Sequence, residues 1–259
     1  MPPDPIYTTD NCSAKNRILW TLALFWRNER IGGDWLPELE EATEKDGVHI
    51  KNHSVHKERA DQFLLHCDAD LAAKDIIRSV KGRLQYIIRS ACPKAFRRNY
   101  SIKSIGTIKA EIIQKYVSSQ FSHHPRFDPR VAERFEKFQL RFPDVDLSAT
   151  RYSSHGQFIH NLHLVFVHER RWCEYEDEVM WKVTDMIRKA AKSKEHLLSA
   201  AGVLPDHVHL SIGCGISDAP REVALSYLNN LAYAQGMQPV YQFGYYAGTF
   251  GKYDLGAIP

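Results

Sequence analysis

The chain lacks long apolar runs and has few cysteines. No stretch of about eighteen apolar residues occurs, so the sequence predicts no conventional membrane-spanning helix. The N-terminal segment Met1-Pro-Pro-Asp-Pro5 is neither basic nor apolar enough for a signal peptide. The five cysteines are scattered and form no Cys-x-x-Cys pair, which argues against structural zinc and against a disulfide framework. We therefore expect a protein of the reducing cytoplasm that contacts no membrane.

Composition and charge are those of an ordinary globular protein. The 259 residues are 44% apolar and 25% charged, which fits one large domain or two small ones and argues against global disorder. The net charge of +3 is too small by itself to indicate a nucleic-acid partner. Basic residues crowd the stretch 81–98, and this charge pattern fits a solvated helix face as well as a phosphate-binding surface.

The sequence contains an internal repeat with an offset of 145 residues. The segment 99–107 (NYSIKSIGT) aligns with 244–252 (GYYAGTFGK). The same offset aligns 60–64 with 205–209, and it aligns the apolar run 18–25 with 163–170. One shared offset at three separate places predicts two copies of one structural unit.

Each copy has the same predicted order of strands and helices. An apolar strand is followed by a helix, a second strand, a second helix and a glycine-bearing extended segment. This alternation in a short unit predicts an α+β fold with helices on one face of a sheet. We divide the chain into a tail (1–10), a first domain (11–120), a linker (121–149) and a second domain (150–259). Only the first copy continues into a further predicted helix, over 109–120.

Two histidines in the motif Pro205-Asp-His-Val-His-Leu210 are the sharpest chemical signal. His207 and His209 are two residues apart on a predicted strand, so both imidazoles should project from one face. A convergent histidine pair can hold a divalent metal, although most neighbouring histidines hold none. The other histidines, His163 among them, form no convincing ligand set. Cys214, which follows the strand, is expected to be a small buried side chain.

Tyr116 and Gln120 form a second pair, on the predicted helix over 109–120. Residues four apart share a helix face, so the two side chains should point together. A phenol can serve as a covalent nucleophile, and an amide oxygen can serve as a metal ligand. A tyrosine that only packs on an amphipathic helix would give the same pattern.

Three segments together resemble the single-tyrosine transposases of the HUH superfamily, where HUH denotes His, hydrophobic, His. They are the histidine motif over 205–210, the segment 244–251 (GYYAGTFG) and the segment 112–120 (IIQKYVSSQ). The resemblance covers both copies and implies ferredoxin-like (RRM-like) domains with antiparallel sheets, as in the small homodimeric enzymes of insertion sequences and their repeat-associated relatives. It also implies Mg²⁺ or Mn²⁺ as the cofactor and single-stranded DNA, presented beside a hairpin, as the partner.

The resemblance carries roles to four positions. His207 and His209 match the metal-binding pair, and Gln120 matches the third ligand. Tyr116 matches the nucleophile that forms a 5′-phosphotyrosine and frees a 3′-OH. The first copy has the tyrosine helix but reads Gln62-Phe-Leu64 at the histidine position, whereas the second has the histidines but no such helix. We therefore expect a monomeric tandem pseudodimer whose two copies supply one composite site for cleaving and joining single-stranded DNA.

Single-stranded DNA binding combines basic side chains with aromatic stacking. Five residues of the first copy are candidates for it: Lys81, Arg83, Arg97, Arg98 and Tyr100. The second copy lacks those charges, so we expect asymmetric DNA contacts. Charges that serve surface solubility alone would give the same pattern.

Two other functions remain open on the sequence. A domesticated, catalytically silent transposase that binds DNA hairpins would explain the loss of histidines from one copy. A metal hydrolase using His207 and His209 would lack an acidic ligand, because Asp206 is expected to point away from them on a strand. Retention of Tyr116 and Gln120 together with both histidines favours the strand-transfer enzyme.

Overall fold

The computed structural model describes residues 4–56, 59–106, 117 and 129–251. Within these ranges the chain forms twelve strands in two sheets and five α-helices. The strands are β1 (Ser13–Arg17), β2 (Leu19–Trp26), β3 (Val48–His56), β4 (Ala60–Cys67), β5 (Phe96–Ile105), β6 (Leu140–Arg141), β7 (Arg151–Tyr152), β8 (Gln157–Ile159), β9 (Asn161–Val167), β10 (Leu197–Leu204), β11 (His207–Gly213) and β12 (Gly244–Thr249). The helices are α1 (Leu36–Glu44), α2 (Ala73–Ile87), α3 (Pro129–Phe135), α4 (Asp177–Ser193) and α5 (Pro220–Ala234). None of these helices is long and apolar enough to cross a membrane.

The two sheets repeat the same arrangement. The first sheet has the order β7-β8-β5-β2-β4-β3, and the second has the order β1-β12-β9-β11-β10-β6. In chain order, β2, β3, β4 and β5 with α1 and α2 follow a β-α-β-β-α-β sequence, which is that of ferredoxin-like folds. The strands β9 to β12 with α4 and α5 follow the same sequence. The α+β prediction is confirmed.

Each sheet contains strands from the other half of the chain: β1 lies in the second sheet, whereas β7 and β8 lie in the first. β1 precedes the first unit but pairs in parallel with β12 of the second sheet. β8 precedes the second unit but pairs in parallel with β5 of the first sheet. The sheets are therefore mixed, and the prediction of antiparallel sheets is wrong at these two edges. The reason is that β1 and β8 each run in the same direction as the last strand of the opposite unit, with which they pair.

The hydroxyl groups of Ser104 and Thr249 form hydrogen bonds between the two units where the units cross. The backbone N–H of Asn161 donates to Ser104 Oγ over 2.8 Å, and the N–H of Leu19 donates to Thr249 Oγ1 over 2.7 Å. The Ser104 hydroxyl donates in turn to the carbonyl of Phe250, and the Thr249 hydroxyl donates to that of Ile105. Ser104 and Thr249 thus make equivalent contacts with the opposite unit, as expected for two units related by an approximate two-fold axis.

The helices α4 and α5 cover one face of the second sheet. Along β9, Leu162, Leu164 and Phe166 are fully buried in the apolar core that includes the inner faces of α4 and α5. The helix α4 forms readily because its apolar residues recur at helical spacing, with acids in the first turn and Lys192 in the last, which suits the helix dipole. The opposite face of the second sheet carries both polar side chains and a small apolar cluster around Ala200.

The strand pairing corrects the uniform offset of 145 residues. That offset holds for β5 and β12, in which Lys103 corresponds to Gly248. Thr21 pairs with Lys103 and His163 pairs with Gly248, so β2 corresponds to β9 with an offset of 142. Thr21 also pairs with Leu64, whereas His163 pairs with Ser211, so β4 corresponds to β11 with an offset of 147.

This correction changes the residues that stand at the histidine position of the first unit. His207 corresponds to Ala60 and His209 corresponds to Gln62, rather than to Gln62 and Leu64. The conclusion that the first unit lacks both imidazoles is unaffected.

Several elements differ from the sequence prediction. β3 and β10, which form hairpins with β4 and β11, were not predicted. Within the predicted linker, the structure has α3, a 3₁₀ turn over Glu136–Phe138 and β6. The helix predicted over 109–120 lies outside the described residues except at Val117, which is helical.

Replacing Gly106 with Ala should destabilise the fold at the crossing point. The new Cβ would lie 2.5 Å from the carbonyl oxygen of Thr249 and 3.0 Å from Phe250 Cα. Backbone atoms cannot swing aside, so we expect the free energy of unfolding to fall by about 1–3 kcal/mol in a denaturant titration. Gly82→Ala is the matched control, because nothing lies within 4 Å of its Cβ in α2 and alanine should add up to about 1 kcal/mol there. Equal changes in the two variants would contradict the close approach.

Candidate active site

His207 and His209 lie side by side on the face of the second sheet opposite α4 and α5. They alternate along β11 with Val208 and Leu210, which point into the core. The two imidazoles are only 3% and 5% exposed, and their ring centroids are 4.9 Å apart. The pair is therefore largely desolvated and held on a rigid strand.

Asp206 fixes the orientation of His207. It lies in the turn between β10 and β11, and its Oδ1 is 2.5 Å from His207 Nδ1. The expectation that Asp206 points away from the histidines is wrong, because a turn residue does not follow strand alternation. Burial raises the pKa of Asp206, but the hydrogen bond and charge of His207, and then those of Arg171 at 3.1 Å, outweigh it and lower that pKa to about 2. The carboxylate is ionised at neutral pH.

His163 supports the second imidazole. Its Nε2 lies 3.0 Å from His209 Nδ1, and the two rings are nearly parallel. Burial lowers the pKa of His163 to about 4, so its ring is neutral at physiological pH. No sequence pattern joins His163 to the pair, because β9 and β11 are brought together only by sheet pairing.

The donor set suits a divalent metal. Both histidines use Nδ1 for a hydrogen bond within the site, which makes Nε2 the nitrogen suited to ligation. Buried, neutral imidazole is the form that binds metals of the first transition row. His207 and His209 therefore fit a metal site that needs at least one further ligand.

The predicted nucleophile Tyr116 and the predicted third ligand Gln120 lie outside the described residues. Their neighbour Val117 is helical and fully buried. Its small apolar cluster also contains Leu147, Ala200 and Phe250. Val117 therefore packs on residues of the second half of the chain.

The position of that cluster relates Val117 to the histidines. Ala200 pairs with Ser211 across β10 and β11, and Gly202 pairs with His209 two residues along. Side chains on paired residues point to the same face of a sheet. Val117 is thus buried on the face of the second sheet that carries His209.

A second group of potential ligands lies in the core of the same unit. The donor atoms of His196, Cys214 and Asp218 all lie within 4.8 Å of one another. His196 Nε2 is 3.2 Å from Asp218 Oδ2, and its Nδ1 is 3.2 Å from the Tyr227 hydroxyl. Cys214 is fully buried, as expected, and its burial raises the pKa of the thiol. Hydrogen bonds already account for His196, so this group reads as a polar network of the core.

Two of the candidate DNA-binding residues are engaged within the protein. Lys81 donates through Nζ to the carbonyl oxygens of Arg97 and Arg98, over 2.6 and 3.0 Å, and partial burial lowers its pKa. Arg83 forms two hydrogen bonds with Asp46, over 2.8 and 3.1 Å. Both side chains stabilise the first unit.

The other three candidates lie close to the start of β5. The Tyr100 hydroxyl is 2.8 Å from Ser153 Oγ, so this ring helps to hold the exchanged strand region. Arg97 donates through Nε to the carbonyl oxygen of Trp26 over 3.0 Å and lines a surface cavity. Arg98 is exposed.

Substituting Asp206 with Asn should weaken metal binding. The amide removes the charge that holds His207 in its tautomer and orientation, and loss of such a supporting group costs about 10–100-fold in affinity. Titration with Mn²⁺, followed by the EPR signal of the free ion, measures the dissociation constant. Asp185→Asn removes an exposed carboxylate on α4 and should leave it unchanged. An unaltered dissociation constant in the Asp206 variant would show that the carboxylate does not support the site.

Comparison with known proteins gives one family match. Residues 157–258 match the family model described as "Transposase IS200 like". No curated protein matches the chain. A crystal structure of a "putative transposase" from Deinococcus radiodurans R1 is similar at 15% identity and a TM-score of 0.31, over 46% of this chain and 98% of that one. An unknown protein from Galdieria sulphuraria is similar at 7% identity and a TM-score of 0.22, over 91% and 99% of the two chains.

The matched segment begins at β8 and contains β9, β11 and β12, and it includes all three histidines of the site. The match relates residues 157–258, the part of the chain that carries the histidine pair, to IS200-like transposases.

Proposed function

We propose that the protein is a metal-dependent endonuclease and strand transferase for single-stranded DNA that forms a 5′-phosphotyrosine intermediate at one composite active site. One observation carries the proposal. His207 and His209 are buried side by side, each with Nδ1 engaged, on the sheet face that also buries Val117. Val117 is the next residue after Tyr116.

Support for a composite site comes from the separate origins of its parts. The histidines belong to the second unit, at the position where the first unit carries Ala60 and Gln62. Val117 follows the last strand of the first unit and is buried on the second sheet. We infer that Tyr116 and Gln120 reach the histidines of the second unit, so that the chain works as an intramolecular pseudodimer of the domains 11–120 and 150–259.

The residues divide the chemistry among them. His207, His209 and Gln120 would hold Mg²⁺ or Mn²⁺, which supplies Lewis acidity and stabilises charge that develops on the phosphate oxygens. Asp206 and His163 keep the two imidazoles oriented. The phenol oxygen of Tyr116 attacks phosphorus, the bond from phosphorus to the 3′ oxygen breaks, and that oxygen takes up a proton.

Rejoining reverses these bond changes. A 3′-OH attacks the phosphotyrosine, a phosphodiester forms, and the phenol is released. The phosphodiester bond energy is kept in the intermediate, so joining needs no nucleotide cofactor.

The decisive experiment is a search for a covalent protein–DNA adduct. The full chain is incubated with a labelled library of single-stranded DNA hairpins and Mn²⁺ or Mg²⁺, then denatured and resolved by electrophoresis. We expect an adduct that maps to Tyr116 and is lost with Tyr116→Phe, with His207→Ala and with EDTA. The attacking phenol and the metal ligand are each required for the bond to form.

Tyr246→Phe is the matched control for the nucleophile. Tyr246 is on the histidine-bearing face of β12, and its ring centroid is 5.7 Å from that of His163. The adduct should persist in this variant. Loss of the adduct with Tyr246→Phe and its retention with Tyr116→Phe would overturn the assignment of Tyr116. Tight hairpin binding without any adduct would instead favour the alternative function, a catalytically silent DNA hairpin-binding protein.

Cutting the chain near residue 145 should give two inactive pieces that regain activity when mixed. The first piece carries β1, which completes the second sheet, and the second piece carries β8, which completes the first sheet. The pieces should therefore associate, and the uncut protein should be monomeric by light scattering. Adduct formation by the second piece alone, or a stable homodimer of the uncut chain, would contradict the composite site.

A further inference from the structure

A cavity of about 830 Å³ lies at one end of the first sheet, where β2 ends and β4 and β5 begin. Four arginines line it: Arg27, Arg30, Arg59 and Arg97. Among the described residues that line it, Glu29 is the one carboxylate. Positive charge is thus concentrated in a cavity large enough for several groups of a ligand.

Two of the arginines, Arg30 and Arg97, are oriented by hydrogen bonds within the protein. Asp61 is fully buried, and its Oδ1 accepts a hydrogen bond from Arg30 Nε over 3.0 Å. The same carboxylate accepts from the indole N–H of Trp26 and lies 2.7 Å from His53 Nε2. Arg97 uses Nε to bond the carbonyl of Trp26. Both guanidinium groups are therefore fixed through Nε, which directs their terminal amino groups to other acceptors.

The other two arginines have no structural partner of opposite charge. Arg27 and Arg59 are exposed, and neither lies within 4.0 Å of a carboxylate of the described residues. These two exposed guanidinium groups and the two oriented ones concentrate positive charge at one cavity, which attracts anionic groups. The arrangement therefore favours an anionic ligand with more than one charge.

The second unit shows that the fold itself does not require these arginines. With the offsets of 142 and 147, Arg27 corresponds to Glu169 and Arg59 corresponds to Asp206. At the matching end of the second sheet, a cavity of about 470 Å³ is lined by Glu169 and Glu174 and by no basic residue. Charge is thus reversed at two corresponding positions of one architecture.

We propose that the arginine-lined cavity binds the phosphodiester backbone of nucleic acid, as a second site apart from the histidine pair. Guanidinium groups match phosphate oxygens with paired, charge-assisted hydrogen bonds, and several in one cavity fit successive phosphates of a strand. The inference rests on the proposed function for the choice of nucleic acid over other polyanions. It gives the unit that lacks the histidines a role in holding the strand.

The test measures binding of a labelled single-stranded hairpin oligonucleotide in EDTA, over a series of salt concentrations. The double variant Arg27→Gln, Arg59→Gln should bind more weakly and with a shallower dependence on salt. The slope of log K against log salt is negative, and each lost phosphate contact reduces its magnitude by roughly 0.7 on single strands. Loss of two contacts should therefore reduce the magnitude by roughly 1.4. Both residues are exposed, and circular dichroism checks that the variant is folded.

Two further variants make the result specific. Arg188→Gln, Lys192→Gln removes the same charge from the exposed face of α4 and should leave the slope unchanged. Arg27→Lys, Arg59→Lys keeps the charge and should restore the slope. Equal slopes for the cavity variant and the α4 variant would overturn the proposal. Displacement of the oligonucleotide by inorganic phosphate at constant ionic strength, dependent on Arg27 and Arg59, would also overturn it by identifying a free-phosphate site.

The assay separates this inference from the proposed function. Binding in EDTA needs neither the metal nor Tyr116. A shallower slope in the cavity variant supports the nucleic-acid site even where no covalent adduct forms. An adduct together with unchanged slopes supports the enzyme assignment and shows that the arginine-lined cavity does not bind the DNA strand.

Discussion

The exchange of edge strands is the constraint on which the rest of the structure depends. β1 and β8 each complete the sheet of the opposite unit, and the Ser104 and Thr249 hydroxyls accept backbone N–H groups where the units cross. A buried N–H without an acceptor costs about 1–3 kcal/mol, so the two hydroxyls favour one arrangement of the units over others. That arrangement keeps the end of the first unit close to the second sheet. Burial of Val117 beside Ala200 and Phe250 is its direct consequence.

Within that shared frame the two units carry opposite chemistry at corresponding positions. Where the second has His207 and His209, the first has Ala60 and Gln62, and the amide of Gln62 bonds the Thr21 hydroxyl instead of a ligand. These changes alter the side chains at the strand ends while the backbone pairing is kept. A duplicated fold can therefore lose one function from each copy, provided that the exchanged strands keep the copies together.

The sequence was sufficient for elements whose signal is local, and insufficient for those set by pairing across the chain. Apolar periodicity located α2, α4 and α5 and the strands that carry Leu22 or the histidine pair. β3 was missed because its polar residues break strict alternation, and β10 because its small residues give little signal. His163 joins His209 only through the register of β9 and β11. Loops of different length separate the corresponding strands of the two units, so the single offset of 145 failed for β4 and β11. It therefore aligned the two histidines with Gln62 and Leu64 instead of Ala60 and Gln62.

The two units carry opposite charges at corresponding positions near the ends of their sheets. Asp206 supports His207 and also pairs with Arg171, while Glu169 and Glu174 place further negative charge at that end of the second sheet. Arg27 and Arg59 stand at the positions that correspond to Glu169 and Asp206, so the first unit carries positive charge where the second carries negative charge. Under the proposed function, the carboxylate that supports the histidine pair lies on one unit, and the arginines proposed to bind phosphate lie on the other.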